Sequence, residues 1–215
     1  PYPNSISLSE HAKTVESLSS SIAVGERRNP FLRLMPLLYR QIVGEELPDF
    51  LGVSVTAVNQ VVPALALSSW LRSTKPDCRI VWGGQWVTHV LDNPQELYPL
   101  FDIVDAMVSG EGELPLEMLI RRHMQGEKFG NIGRVYLRVG ANVVTSADPL
   151  SCKDLNHLPS PNFDGIPLHS FDYPRTLPVQ SSRGCSWHRC RFCSYATLDP
   201  VYKARDIRRV GDDIE

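Results

Sequence analysis

Three of the five cysteines fall within nine residues, Cys185, Cys190 and Cys193, in the stretch Arg183-Gly184-Cys185-Ser186-Trp187-His188-Arg189-Cys190-Arg191-Phe192-Cys193. The spacing is Cys-x4-Cys-x2-Cys. The residues before it, Leu177 to Ser182, are extended in character and end in small polar side chains, which predicts a strand emptying into a loop. Three thiolates on one loop can converge on one soft metal centre, because thiolates select iron–sulfur clusters, zinc or copper(I). Structural zinc closes its shell with four protein ligands, whereas a catalytic centre keeps a position open. A 4Fe–4S cluster on three cysteines leaves one iron free for a substrate or cofactor. The alternative is a Cys3His zinc site completed by His188, but zinc ribbons bring two separated ligand pairs, and His188 lies inside the same tight loop. A disulfide leaves one of the three thiols over, and nothing marks a secreted chain.

These residues resemble the cluster loop of radical S-adenosylmethionine (SAM) enzymes. The resemblance implies that Cys185, Cys190 and Cys193 hold a 4Fe–4S cluster and that Phe192 packs against the adenine of SAM. In that family the free iron chelates the amino and carboxylate groups of SAM. An electron from the reduced cluster, delivered by a donor such as flavodoxin or ferredoxin, cleaves the sulfonium to a 5′-deoxyadenosyl radical. The usual family spacing is Cys-x3-Cys-x2-Cys, one residue shorter in the first gap. Longer gaps with Arg-Gly-Cys and an aromatic two residues after that cysteine, here Trp187, occur in the cobalamin-associated branches.

The elements that must position such a loop are read from periodicity. Asp49 to Val55, Arg79 to Gly84 and Phe101 to Val108 are mostly apolar runs of the buried, parallel-sheet kind. Helices are predicted between them at Val58 to Arg72 and, briefly, over 94–100. Leu114 to Gln125 follows as an amphipathic helix with Pro115 in its first turn and Gly126 at its stop. Upstream, residues 30–47 place Phe31, Leu34, Leu38 and Ile42 on one helical face, with Asn29-Pro30 as cap and first position and Pro36 as an interruption or the true start. Ser5 to Leu8 alternates like a short strand, and a serine-rich helix is predicted from there to Val24. Alternating strands and helices give an α/β fold, a doubly wound parallel sheet. Its strand-end loops then gather at one edge, where open sheets bind ligands.

Those loops carry Ser54 and Thr56, Gly83-Gly84-Gln85 and Gly110-Glu111-Gly112-Glu113. Glycines let a backbone approach a bulky ligand, and a helix N-terminus favours an anion; each is also what an ordinary tight turn or helix cap looks like. From Leu51 to about Leu119 the order of these features resembles the cobalamin-binding, Rossmann-like domain of one radical SAM branch. It implies that Ser54, Gly83, Gly84, Gly110, Glu111 and Gly112 surround the nucleotide tail of cobalamin. The chain has no Asp-x-His-x-x-Gly, so a histidine-ligated cobalt is not implied, and some members keep this domain without the corrinoid.

Residues 132–147 are predicted as a hairpin, and the proline-rich run to about residue 178 as an ordered strap. The expected organisation is therefore a cobalamin-type domain over 1–131, hairpin and linker over 132–177, and the opening of a radical SAM β/α barrel over 178–215. A barrel takes on the order of 200 residues and fewer than 40 follow Pro178, so a fragment of a larger enzyme is expected. Cys78 and Cys152 are expected bystanders. The net charge of −2 gives no support for nucleic acid as a partner, no apolar run reaches bilayer length, and the cytoplasm is the expected location. The resemblance implies radical methylation or rearrangement at an unactivated carbon of a small molecule or peptide. A non-catalytic Rossmann-like module with a zinc loop, and a degenerate domain kept for protein contacts, are the competing readings.

Overall fold

The computed structural model describes residues 29–147, 150–164, 176–191, 193 and 201–214. The expected strand at Ser5 to Leu8, the helix to Val24, and Phe192 lie outside the described residues. The chain divides into two compact units, Pro1–Leu150 and Ser151–Glu215.

The first unit is built on a five-stranded mixed sheet in sequential order. Strands β1 (Phe50–Ser54), β2 (Arg79–Gly83) and β3 (Ala106–Val108) are parallel, and β4 (Val135–Val139) and β5 (Asn142–Thr145) extend it antiparallel. The expected hairpin is thus part of the sheet. Its helices are α1 (Phe31–Ile42), α2 (Val61–Thr74, after a 3-10 turn at Val58–Gln60), α3 (Gln85–Val90) and α4 (Glu113–Met124). Side chains alternate across each strand, so Ile80, Trp82 and Met107 join α2 and α3 in one core cluster, while Val81, Ala106 and Val108 join Leu119 of α4 in another. Helices pack on both faces of the parallel strands.

Trp82 and Ser68 are fully buried, and the indole Nε1–H donates to Ser68 Oγ at 2.9 Å. Satisfying that donor avoids the penalty of about 1–3 kcal/mol for an unpaired buried polar group. Pro36 sits inside α1 rather than at its start. The third strand is shorter than the sequence suggests. A 3-10 helix occupies Pro94–Asp102, because Pro94 and Pro99 favour helical φ and the buried Leu97, Leu100 and Phe101 turn inward from it.

The second unit contains a 3-10 turn at Leu155–His157, a two-stranded antiparallel ladder of β6 (Ser182–Arg183) and β7 (Lys203–Ala204), and helix α5 (Ile207–Ile214). Cations from the β7–α5 segment hold the proline-rich strap. Lys203 Nζ donates to Cys152 O (2.8 Å) and Arg205 to Leu158 O (3.2 Å), while Asp206 N donates to Asn156 Oδ1 (2.7 Å). The loop that carries Cys185, Cys190 and Cys193 leaves from β6. Among the described residues, no helix is long and apolar enough to cross a membrane.

Candidate functional site

A cavity of about 430 Å³ opens where β1, β2 and β3 end. It lies on the α4 face of the sheet, and the strand sequences explain why it is there. On that face β1 presents Phe50, Gly52 and Ser54, and β2 presents Arg79, Val81 and Gly83. The ladder sets Gly52 against Val81 and Ser54 against Gly83. Side chains therefore shrink toward the C-terminal ends, and α4 has nothing there to pack on. Ser54, Gly83, Gly84, Gly110 and Gly112, five of the six residues expected to surround a ligand, line this one space. Glu111 is not among the lining residues; Glu113, the first residue of α4, is. Val53, Val108 and Leu116 add apolar wall. Among the described residues, no histidine, lysine, arginine or cysteine lines it.

The glycines are there for different reasons. A Cβ on Gly52 or Gly112 would meet no atom within 4 Å, so these two keep the cavity open. Gly84 has φ +103, and a Cβ there would come within 2.5 Å of Val55 O. Its requirement is close packing of the β1 and β2 exits, which Trp86 N to Val55 O (3.1 Å) and Val55 N to Gly83 O (2.7 Å) also fix. Gly110 has φ +68 and packs on the guanidinium of Arg134. Thr56, in the loop after β1, is committed elsewhere, since its N–H and hydroxyl both donate to Gln60 Oε1 (2.7 and 2.9 Å).

Sequence reasoning names Glu113 in its loop without making it a contact, and misses Gly52 and Thr88. Gly52 and Ser54 share one strand face at period two, a signal of a cleared face. Thr88, one helical turn after Gly84, had no signal. Its hydroxyl donates to Gly84 O (3.0 Å) and accepts from Gly110 N–H (2.7 Å).

In the second unit the three cysteines stand free: Cys185 half-buried, Cys190 and Cys193 exposed. The backbone N–H groups of His188 and Trp187 both point at the Cys185 sulfur and hold its thiol below the usual range, because they favour the thiolate. His188 adopts a left-handed φ of 54, uncommon for a non-glycine residue, in delivering that amide. Gly184 is fixed by packing, since a Cβ would come within 2.3 Å of Val201 O. Arg189 lies over the Trp187 ring at 5.6 Å. Among the described residues, no three His, Cys, Asp or Glu side chains are gathered as a metal site. The donor set itself, three free thiols with one already biased to thiolate, fits a thiolate-bound cluster, and metal binding supplies the free energy that draws such ligands together. Cys78 is fully buried in the first core, where burial pushes its thiol up, and Cys152 is buried in the strap.

No family model matches the chain. It is 27% identical over 171 residues to an uncharacterized methyltransferase of Pyrococcus horikoshii, covering 78% of this chain and 36% of that protein. Its fold is similar to that of the radical S-adenosylmethionine methyltransferase TsrM from Kitasatospora setae, solved with tryptophan substrate and a SAM analogue. The TM-score is 0.56 at 19% identity, over 87% of this chain and 37% of that one. The chain thus spans little more than a third of the length of each of these two proteins.

Proposed function

We propose that the chain carries the cofactor-holding part of a radical SAM methyltransferase, with a cluster on Cys185, Cys190 and Cys193 and the nucleotide tail of cobalamin at the strand-end cavity. The observation that carries this reading is the three-thiol loop, whose first sulfur is met by two backbone amides. The likeness to two methyltransferases, one of them a radical SAM enzyme, supports it. When bound, the reduced cluster supplies the electron that cleaves SAM. The chain's part is to hold that cluster with three thiolates, leaving one iron without a protein ligand. The amides of Trp187 and His188 offset charge on Cys185. The glycine-cleared face would offer a wall against which the cofactor's tail could lie. Phe192 is the proposed adenine contact. The domain limits proposed are 1–131, 132–177 and 178–215, with a small molecule or peptide as substrate, a flavodoxin- or ferredoxin-type electron donor and a cytoplasmic location.

The test is anaerobic reconstitution with iron and sulfide, followed by metal and sulfide analysis of the chain and of Cys190→Ala. The reading expects about four irons and four sulfides per chain, lost in the variant. One tightly held zinc and no sulfide would leave a zinc-binding module instead.

A further inference from the structure

The cavity is framed across three strand ends. Gly84 is pinned on one side by the Val55 backbone. On the other side Gly110 is backed by Arg134, whose carbonyl accepts from Ser109 N–H at 3.0 Å. Both outer links involve main chain and would survive most substitutions. The centre of the frame depends on one side-chain hydroxyl. Thr88 Oγ donates to Gly84 O and accepts from Gly110 N–H, which a hydroxyl can do at once because it has one donor and two lone pairs. The two glycines it ties are left-handed, φ +103 and +68, and stand at the ends of neighbouring strands. Without the hydroxyl the part-buried Gly110 amide loses its partner, while Gly84 O keeps the Thr88 N–H at 3.0 Å, so the loop after β3 is released from the start of α3.

We propose that Thr88 is the positioning residue of this cavity, setting the spacing of the two glycine walls that flank its ligand. The proposal rests on the cavity being the cobalamin site. A hydroxyl with both hydrogen bonds is required, not merely the volume of threonine, so valine removes the function and serine keeps it.

The experiment measures two things on the wild-type chain, Thr88→Val and Thr88→Ser, with folding checked by circular dichroism and Thr88→Ala in reserve if valine does not fold. The first is exchange of the Gly110 amide by NMR; the second is the affinity for hydroxocobalamin by absorbance titration. Expected are faster Gly110 exchange and an affinity weaker by about tenfold in Thr88→Val, as for one lost partner of a part-buried donor. Thr88→Ser restores both, and iron uptake by the cysteine loop is unchanged throughout. If wild type takes up no cobalamin while Gly110 exchange still follows the hydroxyl, the cofactor reading fails and takes the affinity claim with it. If wild type binds cobalamin and Thr88→Val binds it equally well, or Gly110 stays equally protected, the role of Thr88 is overturned and the cofactor reading stands.

Discussion

The glycine cavity and the cysteine loop are organised in opposite ways. The cavity is built before any ligand arrives. Its floor follows from small residues on one face of two paired strands, and its rim from glycines locked against Val55 and Arg134 and joined through Thr88. The opposite edge of the same sheet shows what such ends look like when filled. There Asp105 binds Arg72 at 2.5 Å and Arg79 at 2.9 Å and accepts from Ile80 N–H, while Arg72 also donates to Ile103 O and Cys78 O. In the cysteine loop the Cys185 sulfur is met by two backbone amides, and Cys190 and Cys193 are exposed. A cavity can be carved by packing alone, whereas a metal site takes much of its order from the metal.

Four experiments break or sharpen this contrast. The largest effect is expected at the loop: Cys190→Ala should lower iron from about four per chain to near none on reconstitution, with the melting temperature of the metal-free chain unmoved. Retained iron would remove Cys190 from the ligand set. Gly84→Ala should destabilise the first unit by about 3 kcal/mol or more in urea titration, because the residue needs both left-handed φ and the space of a hydrogen. A loss of only a few tenths would mean that the close approach to Val55 relaxes freely. Gly52→Val separates cavity from scaffold. Stability should stay within about 1 kcal/mol of wild type, since valine suits a strand, while cobalamin affinity falls about tenfold or more as the side chain enters the space. Undiminished binding would place the ligand elsewhere.

The smallest effect concerns Cys185. Its thiol is held below the ordinary range in the folded chain, so the thiolate persists to lower pH there than in the unfolded chain. Alkylation of metal-free protein, followed at Cys185 by mass spectrometry against pH, should show a midpoint below that of the same residue in urea. A midpoint equal to or above the urea value would mean that the amides of His188 and Trp187 do not meet the sulfur in solution.

Much of the scaffold was legible because periodicity records burial. The β1 and β2 runs, the hairpin and the helix ending at Gly126 are apolar or amphipathic patterns that only a sheet covered on both faces requires. The third strand was misjudged because Leu100, Phe101 and Ile103 are apolar whether they lie in a strand or on a proline-started 3-10 helix. At the cavity, the glycines were visible as residues but not as reasons. Gly52 and Gly84 look alike in the chain, yet one keeps space empty and the other fits a backbone contact 2.5 Å from where a Cβ would sit. Thr88 was invisible, since a hydroxyl that bridges two distant loops leaves no pattern in sequence. The cysteine spacing, by contrast, points to a ligand chemistry through residue type alone, and the reconstitution experiment is what tests it.

The most direct test of the account is the electron paramagnetic resonance spectrum of the reconstituted, reduced chain with and without SAM. A reduced 4Fe–4S signal that changes shape and g-values on adding SAM is the predicted result, because the iron without a protein ligand takes the cofactor. A cluster signal indifferent to SAM, or no iron signal with zinc in its place, would contradict it.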